Sequence, residues 1–112
     1  MKKGDIYIIN LENNLGSIQA GRRPVIIVQN DIGNQFSPTT IICPITTRKK
    51  PKLPTHAQIF KSGGLRRNSI ALCEQITTIN KTDLERYIGT ISDNRILKRL
   101  DKCLLISLGI IE

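Results

Sequence analysis

Gly21-Arg22-Arg23-Pro24-Val25-Ile26-Ile27-Val28-Gln29-Asn30-Asp31 sets two arginines and a proline against an unbroken apolar run. Residues 24–29 are almost wholly apolar and β-branched, the pattern of a buried strand bounded by turn formers. Without Pro24 the two arginines would read as ordinary solvated surface charges. The proline biases Arg23 toward an extended backbone and fixes where the strand begins, so its side chain leaves the chain in one preferred direction. A guanidinium directed that way at a strand mouth suits phosphate.

Outward from this run the same pattern recurs. Residues 5–11, 39–45 and 57–60 are β-like, residues 68–79 form a run long enough to bend across a small barrel, and 88–91 add a short last strand. Asn13-Asn14-Leu15-Gly16-Ser17 and Asp31-Ile32-Gly33-Asn34 are turn formers, and Ser62-Gly63-Gly64 marks a tight reversal between two strands. Arg48-Lys49-Lys50-Pro51-Lys52 puts four positive charges around a proline and predicts an exposed, mobile loop.

Past residue 91 the period changes. Ser92 reads as a helix N-cap, with Asp93 in the first turn where a negative charge complements the helix dipole. Ile96, Leu100 and Leu104 recur at helical spacing, widened by Leu97 and Cys103, while Arg95, Lys98, Arg99 and Lys102 fall largely outside the stripe. The final stretch, 104–111, is apolar nearly all round, more than one face of a small barrel covers, and predicts a subunit interface. With no internal repeat or linker, the pattern predicts a single domain over 1–112, mainly β, with a C-terminal helix packed on a small barrel.

The chain has 17 basic residues against 9 acidic, a formal charge of +8. Such a molecule attracts polyanions, nucleic acid first and an acidic protein segment second, and loses that attraction as salt rises. No stretch joins a basic face to enough continuous apolar length for a membrane surface. Cys43, Cys73 and Cys103 form no CxxC pair, so neither a zinc site nor a redox dithiol is indicated; they read as small buried apolar residues in a reducing compartment. Lys2 and Lys3 precede Asp5 and only a short apolar run, too brief for a secretory segment, which predicts a cytoplasmic protein.

RNA cleavage needs no metal in principle, because the 2′-hydroxyl can attack its own phosphodiester if the protein aligns it and stabilises the phosphoryl oxygens. The chain offers Arg23, Thr46 or Thr47 at a strand end, and His56, its single histidine. His56 reads either as a proton carrier or base contact or, slightly better from composition alone, as a partly buried residue at a strand start. Glu74 and Gln75, inside an otherwise apolar run, must face solvent or make specific hydrogen bonds. No GxxxxGK[ST], GxSxG or HExxH motif is present, and with only Tyr7, Phe36, Phe60 and Tyr87 as aromatics a pure base-stacking module is disfavoured.

Eight blocks then occur in one order: Lys3-Gly4-Asp5-Ile6-Tyr7, Gly16-Ser17-Ile18-Gln19, Gly21-Arg22-Arg23-Pro24-Val25, Gln29-Asn30-Asp31, Phe36-Ser37-Pro38-Thr39, Ile45-Thr46, Leu53-Pro54-Thr55-His56 and Glu74-Gln75-Ile76. Together they resemble the MazF/PemK toxins over nearly the whole chain. The resemblance implies an SH3-like β-barrel with a C-terminal helix, a homodimer, and a sequence-selective endoribonuclease on single-stranded RNA that requires neither metal nor cofactor. It also implies growth arrest through messenger RNA cleavage and inhibition by an acidic, MazE-like antitoxin.

Carried over by position, the resemblance implies Arg23 and Thr46 as catalytic residues. It implies Ser17, Gln19, Leu53 and His56 as RNA contacts, with Asn30 and Gln75 in the groove. Lys49 and Lys52 of the basic loop and Arg22 beside Arg23 add cations for RNA. Arg23 is expected to stabilise phosphoryl charge rather than act as base, because a guanidinium holds its proton; the base is left unnamed. Ile18 and Ala20 stand where relatives often carry an acidic residue and a glycine, which bears on cleavage-site preference. The alternative is a non-catalytic toxin or RNA-binding module on the same barrel, which has no need of Arg23 and Thr46.

Overall fold

The computed structural model describes residues 1–11, 21–48 and 51–112. Among these run β1 (Asp5–Leu11), β2 (Gly21–Ile27), α1 (Asp31–Phe36), β3 (Thr39–Thr46), β4 (His56–Phe60), β5 (Ser69–Leu72), β6 (Thr77–Asn80), β7 (Arg86–Thr90) and α2 (Asn94–Ser107). The strands form one antiparallel sheet in the order β4-β5-β3-β2-β1-β7, with β6 also paired to β3. β3 is the pivot. Along one edge it holds β2; along the other, Thr39 to Ile42 pair with β6 and Ile45 and Thr46 with β5. One strand shared in this way curls the sheet into an SH3-like half-barrel.

Pleating sorts the side chains onto two faces. Ile6, Ile26, Cys43 and Ile45 join Ala57, Ile59 and Ala71 and, from α2, Ile96, Leu100 and Cys103 in the main core. Ile9, Val25, Ile27 and Ile42 form a second, smaller cluster with Tyr7, Leu11, Ile79 and Leu84. β2 is thus buried on both faces along its second half, which is why 24–29 reads as an unbroken apolar run rather than an alternating one. Each fully buried isoleucine among these contributes about 2 kcal/mol.

Three local expectations change. The run 68–79 is not one strand: a 3-10 turn, Cys73–Gln75, divides it. The Cys73 amide donates to the Thr55 carbonyl at 3.0 Å, continuing the β4/β5 register, and the turn then shifts the chain from the Ile45–Thr46 row of β3 to its first half. Residues 31–34 are not a bare turn but the start of α1, because the Asn30 side chain accepts from the Gly33 amide at 2.8 Å and caps it. The cap of α2 is Asp93, not Ser92: its carboxylate accepts from the Arg95 amide at 2.9 Å.

The reversal at Ser62-Gly63-Gly64 does connect β4 and β5, and it lies against β7 so closely that a Cβ on Gly89 would sit 2.4 Å from the Gly63 carbonyl oxygen. All three cysteines are free and buried, as expected of small core residues. A hydrogen bond with Cys43, together with burial, pushes the Cys73 thiol far up, so it stays protonated. Among the described residues no helix is long and apolar enough to cross a membrane.

Candidate active site

The register of β2 on β3 runs Val25 with Pro44, Ile26 with Cys43 and Ile27 with Ile42. That ladder ends at Val25 and Pro44; extended two residues along both strands, its register would align Arg23 with Thr46. On its other side Arg23 faces Ile9 of β1, and Thr46 faces Ile70 of β5. Cross-strand partners project from the same face. Arg23 and Thr46 therefore share the face of the smaller apolar cluster, at the end where that cluster stops. Thr46 is 2% exposed, and its hydroxyl oxygen accepts from the Arg48 amide at 3.1 Å, which leaves the hydroxyl proton as a donor.

The segment after β3 leads into β4, which runs in the same direction as β3, with Gln58 in the row of Thr46 and His56 two residues before it. Lys52 and Leu53 are exposed, and the Leu53 carbonyl accepts from the His56 amide at 3.0 Å, closing a turn just as β4 begins. The His56 side chain is almost wholly buried, 5% exposed. Its Nε2 lies 2.9 Å from a Glu74 carboxylate oxygen, and the Thr55 hydroxyl donates to the other at 3.1 Å. Nε2 therefore carries the ring proton in the neutral form, and the buried Nδ1 has no partner among the described residues. Partial burial pushes the Glu74 carboxyl up, but its backbone donor, His56 and Thr55 outweigh that and hold it below the usual carboxylate range. One carboxylate thus clamps two consecutive residues at the foot of the basic segment.

Lys52, Leu53, Pro54, His56 and Gln58 form one wall of a groove of about 510 Å³; Arg99, Lys102, Cys103 and Ile106 of α2 form the other. Gln75 lies on the 3-10 turn beside the Cys43–Pro44 step of β3, next to Glu74. Lys52, Leu53 and His56 thus share the groove against α2, Gln75 lies on the neighbouring 3-10 turn, and Arg23 and Thr46 lie on the face of the smaller cluster.

Two expected contacts are engaged within the chain. Arg22 is exposed and already engaged: its Nε and Nη2 donate to both Glu85 carboxylate oxygens at 2.8 and 3.2 Å. Asn30 caps α1 at the far end of β2, about 20 Å from Arg23 by strand rise. Ser17, Gln19 and Lys49 lie outside the described residues.

Sequence reading missed the Glu74 clamp as a unit, although a carboxylate within an apolar run was its signal. It also missed Arg99 and Lys102 as groove residues. Their exclusion from the apolar stripe of α2 marked them as available, but not where α2 would land.

A family model described as a PemK-like, MazF-like toxin of type II toxin–antitoxin systems matches residues 2–108. An Endoribonuclease EndoA from Bacillus subtilis is 46% identical, over 100% of this chain and 97% of its own length. An Endoribonuclease MazF from Staphylococcus saprophyticus is 44% identical, over 98% and 92%. Among solved structures, a mycobacterial endoribonuclease in complex with its cognate antitoxin aligns with a TM-score of 0.81 at 22% identity, over 100% of this chain and 98% of that one. MazF from Deinococcus radiodurans aligns at 0.79 and 19%, over 97% and 96%.

Proposed function

The chain belongs to the PemK-like, MazF-like toxin family of type II toxin–antitoxin systems, and on that premise we propose that it arrests growth as an endoribonuclease cutting single-stranded messenger RNA. The observation that carries the reading is the β2/β3 register, which brings Arg23 and Thr46 to one face at one end of the sheet.

In this mechanism the 2′-hydroxyl gives up its proton to the surrounding water as it attacks the adjacent phosphorus, the bond to the 5′-oxygen breaks, and that oxygen takes up a proton in turn, leaving a 2′,3′-cyclic phosphate and a 5′-hydroxyl. Arg23 pairs with the phosphoryl oxygens and donates toward the leaving 5′-oxygen; Thr46 donates its hydroxyl proton to the developing oxyanion. Neither step calls for a metal or cofactor. Lys52 and Leu53, braced from below by the Glu74 clamp on His56, guide the strand, with Gln75 behind them. Ser17, Gln19 and Lys49 are further RNA contacts in this reading.

The exposed apolar end of α2, with Leu105, Leu108, Ile110 and Ile111, supports a homodimer of one toxin domain spanning 1–112. The charge of +8 supports an acidic antitoxin as the inhibitor, and the absence of CxxC pairs and disulfides supports a cytoplasmic setting.

Incubation of the protein with a long single-stranded RNA in excess EDTA tests the reading. Discrete cuts ending in 2′,3′-cyclic phosphate and 5′-hydroxyl are expected. Bound but intact RNA would move the protein to a non-catalytic barrel.

A further inference from the structure

We propose that the trough between β4 and α2 is an extension of the RNA path, in which Phe60 stacks a base flanking the cleavage site and Lys52, Arg95 and Arg99 contact its phosphates. The proposal rests on the endoribonuclease reading.

The groove beside His56 does not end at Gln58. A second hollow, of about 720 Å³, is lined by Lys52, Gln58, Phe60, Arg95, Ile96 and Arg99 with Asp93, and it shares Lys52, Gln58 and Arg99 with the first. The two form one trough from Leu53 and His56 to Phe60, about 13 Å along β4. It therefore begins at the segment that follows the candidate site.

Phe60 is the one non-glycine residue with a positive φ among the described residues, at 55°, and it is 52% exposed. A bulky side chain is costly in that region of backbone space, and nothing in the core requires this ring. The conformation arises where the β4/β5 register shifts between Gln58 and Phe60. Such bulges re-aim side chains, and here the ring is turned into the trough wall.

The surrounding charge is predominantly positive. Asp93 is the acidic residue in the lining, and it is engaged as the cap of α2 and by the Arg95 guanidinium at 3.0 Å. The Arg95 side chain is 92% exposed, so that pair is weak and readily exchanged for a phosphate. A displayed aromatic face flanked by cations suits a single-stranded nucleic acid, with stacking for any base and charge for its backbone. An acidic peptide would use the cations but leave the strained ring without a purpose.

The test measures binding of RNAs that span the cleavage site, made 2′-deoxy at the attacking position so that they are not cut, either long or trimmed on each side. Phe60→Asn removes the ring while tolerating the backbone conformation, so its melting temperature should not fall. It should weaken binding of the long RNA about tenfold and leave the trimmed RNA unaffected. Phe60→Tyr should bind as the wild type does, and Arg99→Gln should reduce the salt slope by about one. Equal binding of the long RNA by Phe60→Asn and wild type would overturn the proposal. So would a loss confined to antitoxin affinity, or dissociation of a dimer with RNA binding per subunit unchanged. Cleavage of unmodified trimmed RNA by the wild type is scored separately: its failure would sink the endoribonuclease reading, whatever Phe60 does.

Discussion

The two ends of the β2/β3 pair carry polar side chains of similar kind and use them in opposite ways. At the α1 end the groups satisfy one another. Gln29 donates to the Asn34 side chain at 3.2 Å and the Thr39 carbonyl at 3.0 Å, Asn34 donates back to the Gln29 carbonyl at 3.0 Å, and the Thr40 hydroxyl donates to Asn34 at 2.7 Å. Lys81 closes the network on the carbonyls of Asn34 and Ser37. At the Arg23 end the buried Thr46 keeps a donor proton, and across β5 the buried Nδ1 of His56 has no partner among the described residues while Lys52 stands exposed. A closed polar network rigidifies a fold, whereas an open one holds capacity for a ligand. Asn30, expected in the RNA groove by position, sits in the closed region as a helix cap.

Substitutions at the two ends should separate these roles. The largest effect belongs to the open end: Arg23→Ala and Thr46→Ala should each slow RNA cleavage by about 100-fold or more while the protein melts as before. Arg23→Lys should not restore the rate, since a point charge lacks the bidentate fork. Single-turnover cleavage near the wild-type rate in any of these would dissolve the distinction. At the closed end, Asn34→Leu strips Thr40 and Gln29 of their partner and should cost about 3 kcal/mol in a urea melt, with cleavage per folded molecule unchanged.

A smaller effect belongs to the Glu74 clamp. A carboxyl held below its ordinary value of 4.5 contributes stability above that pH and loses it as pH falls through the lower folded value. Glu74→Gln should therefore be less stable than wild type near pH 7, and melts at falling pH should show the gap closing below 4.5. It should also raise KM for RNA with little change in kcat; a gap that persists in acid would mean that the carboxylate charge is not what holds His56. The smallest effect is expected at Arg22→Gln, which breaks an exposed pair with Glu85 and should leave both melting temperature and cleavage unmoved.

Much of the scaffold was legible because strands and helices announce themselves locally. Residues 5–11 match β1 without adjustment, 39–45 and 57–60 fall one residue short of β3 and β4, and the stripe Ile96, Leu100, Leu104 lies on α2. The misreadings occur where a side chain competes with the backbone pattern. Asn30 turned an apparent loop into a helix start, and Glu74 sits on the turn that divides an apparent strand. Neither outcome follows from periodicity, because each depends on whether a polar side chain finds a partner.

What the sequence by itself determined is the strand and helix content, the charge that draws polyanions, and the directed placement of Arg23 ahead of Pro24. Only the tertiary structure decided that Arg23 and Thr46 share a face, that Glu74 reaches back 18 residues to His56, and that α2 lays Arg95 and Arg99 beside Phe60. The physical reason is that residues distant along the chain meet only through strand register and sheet curl. Those follow from burying both faces of β2 at once, a condition on the whole chain that no local stretch encodes.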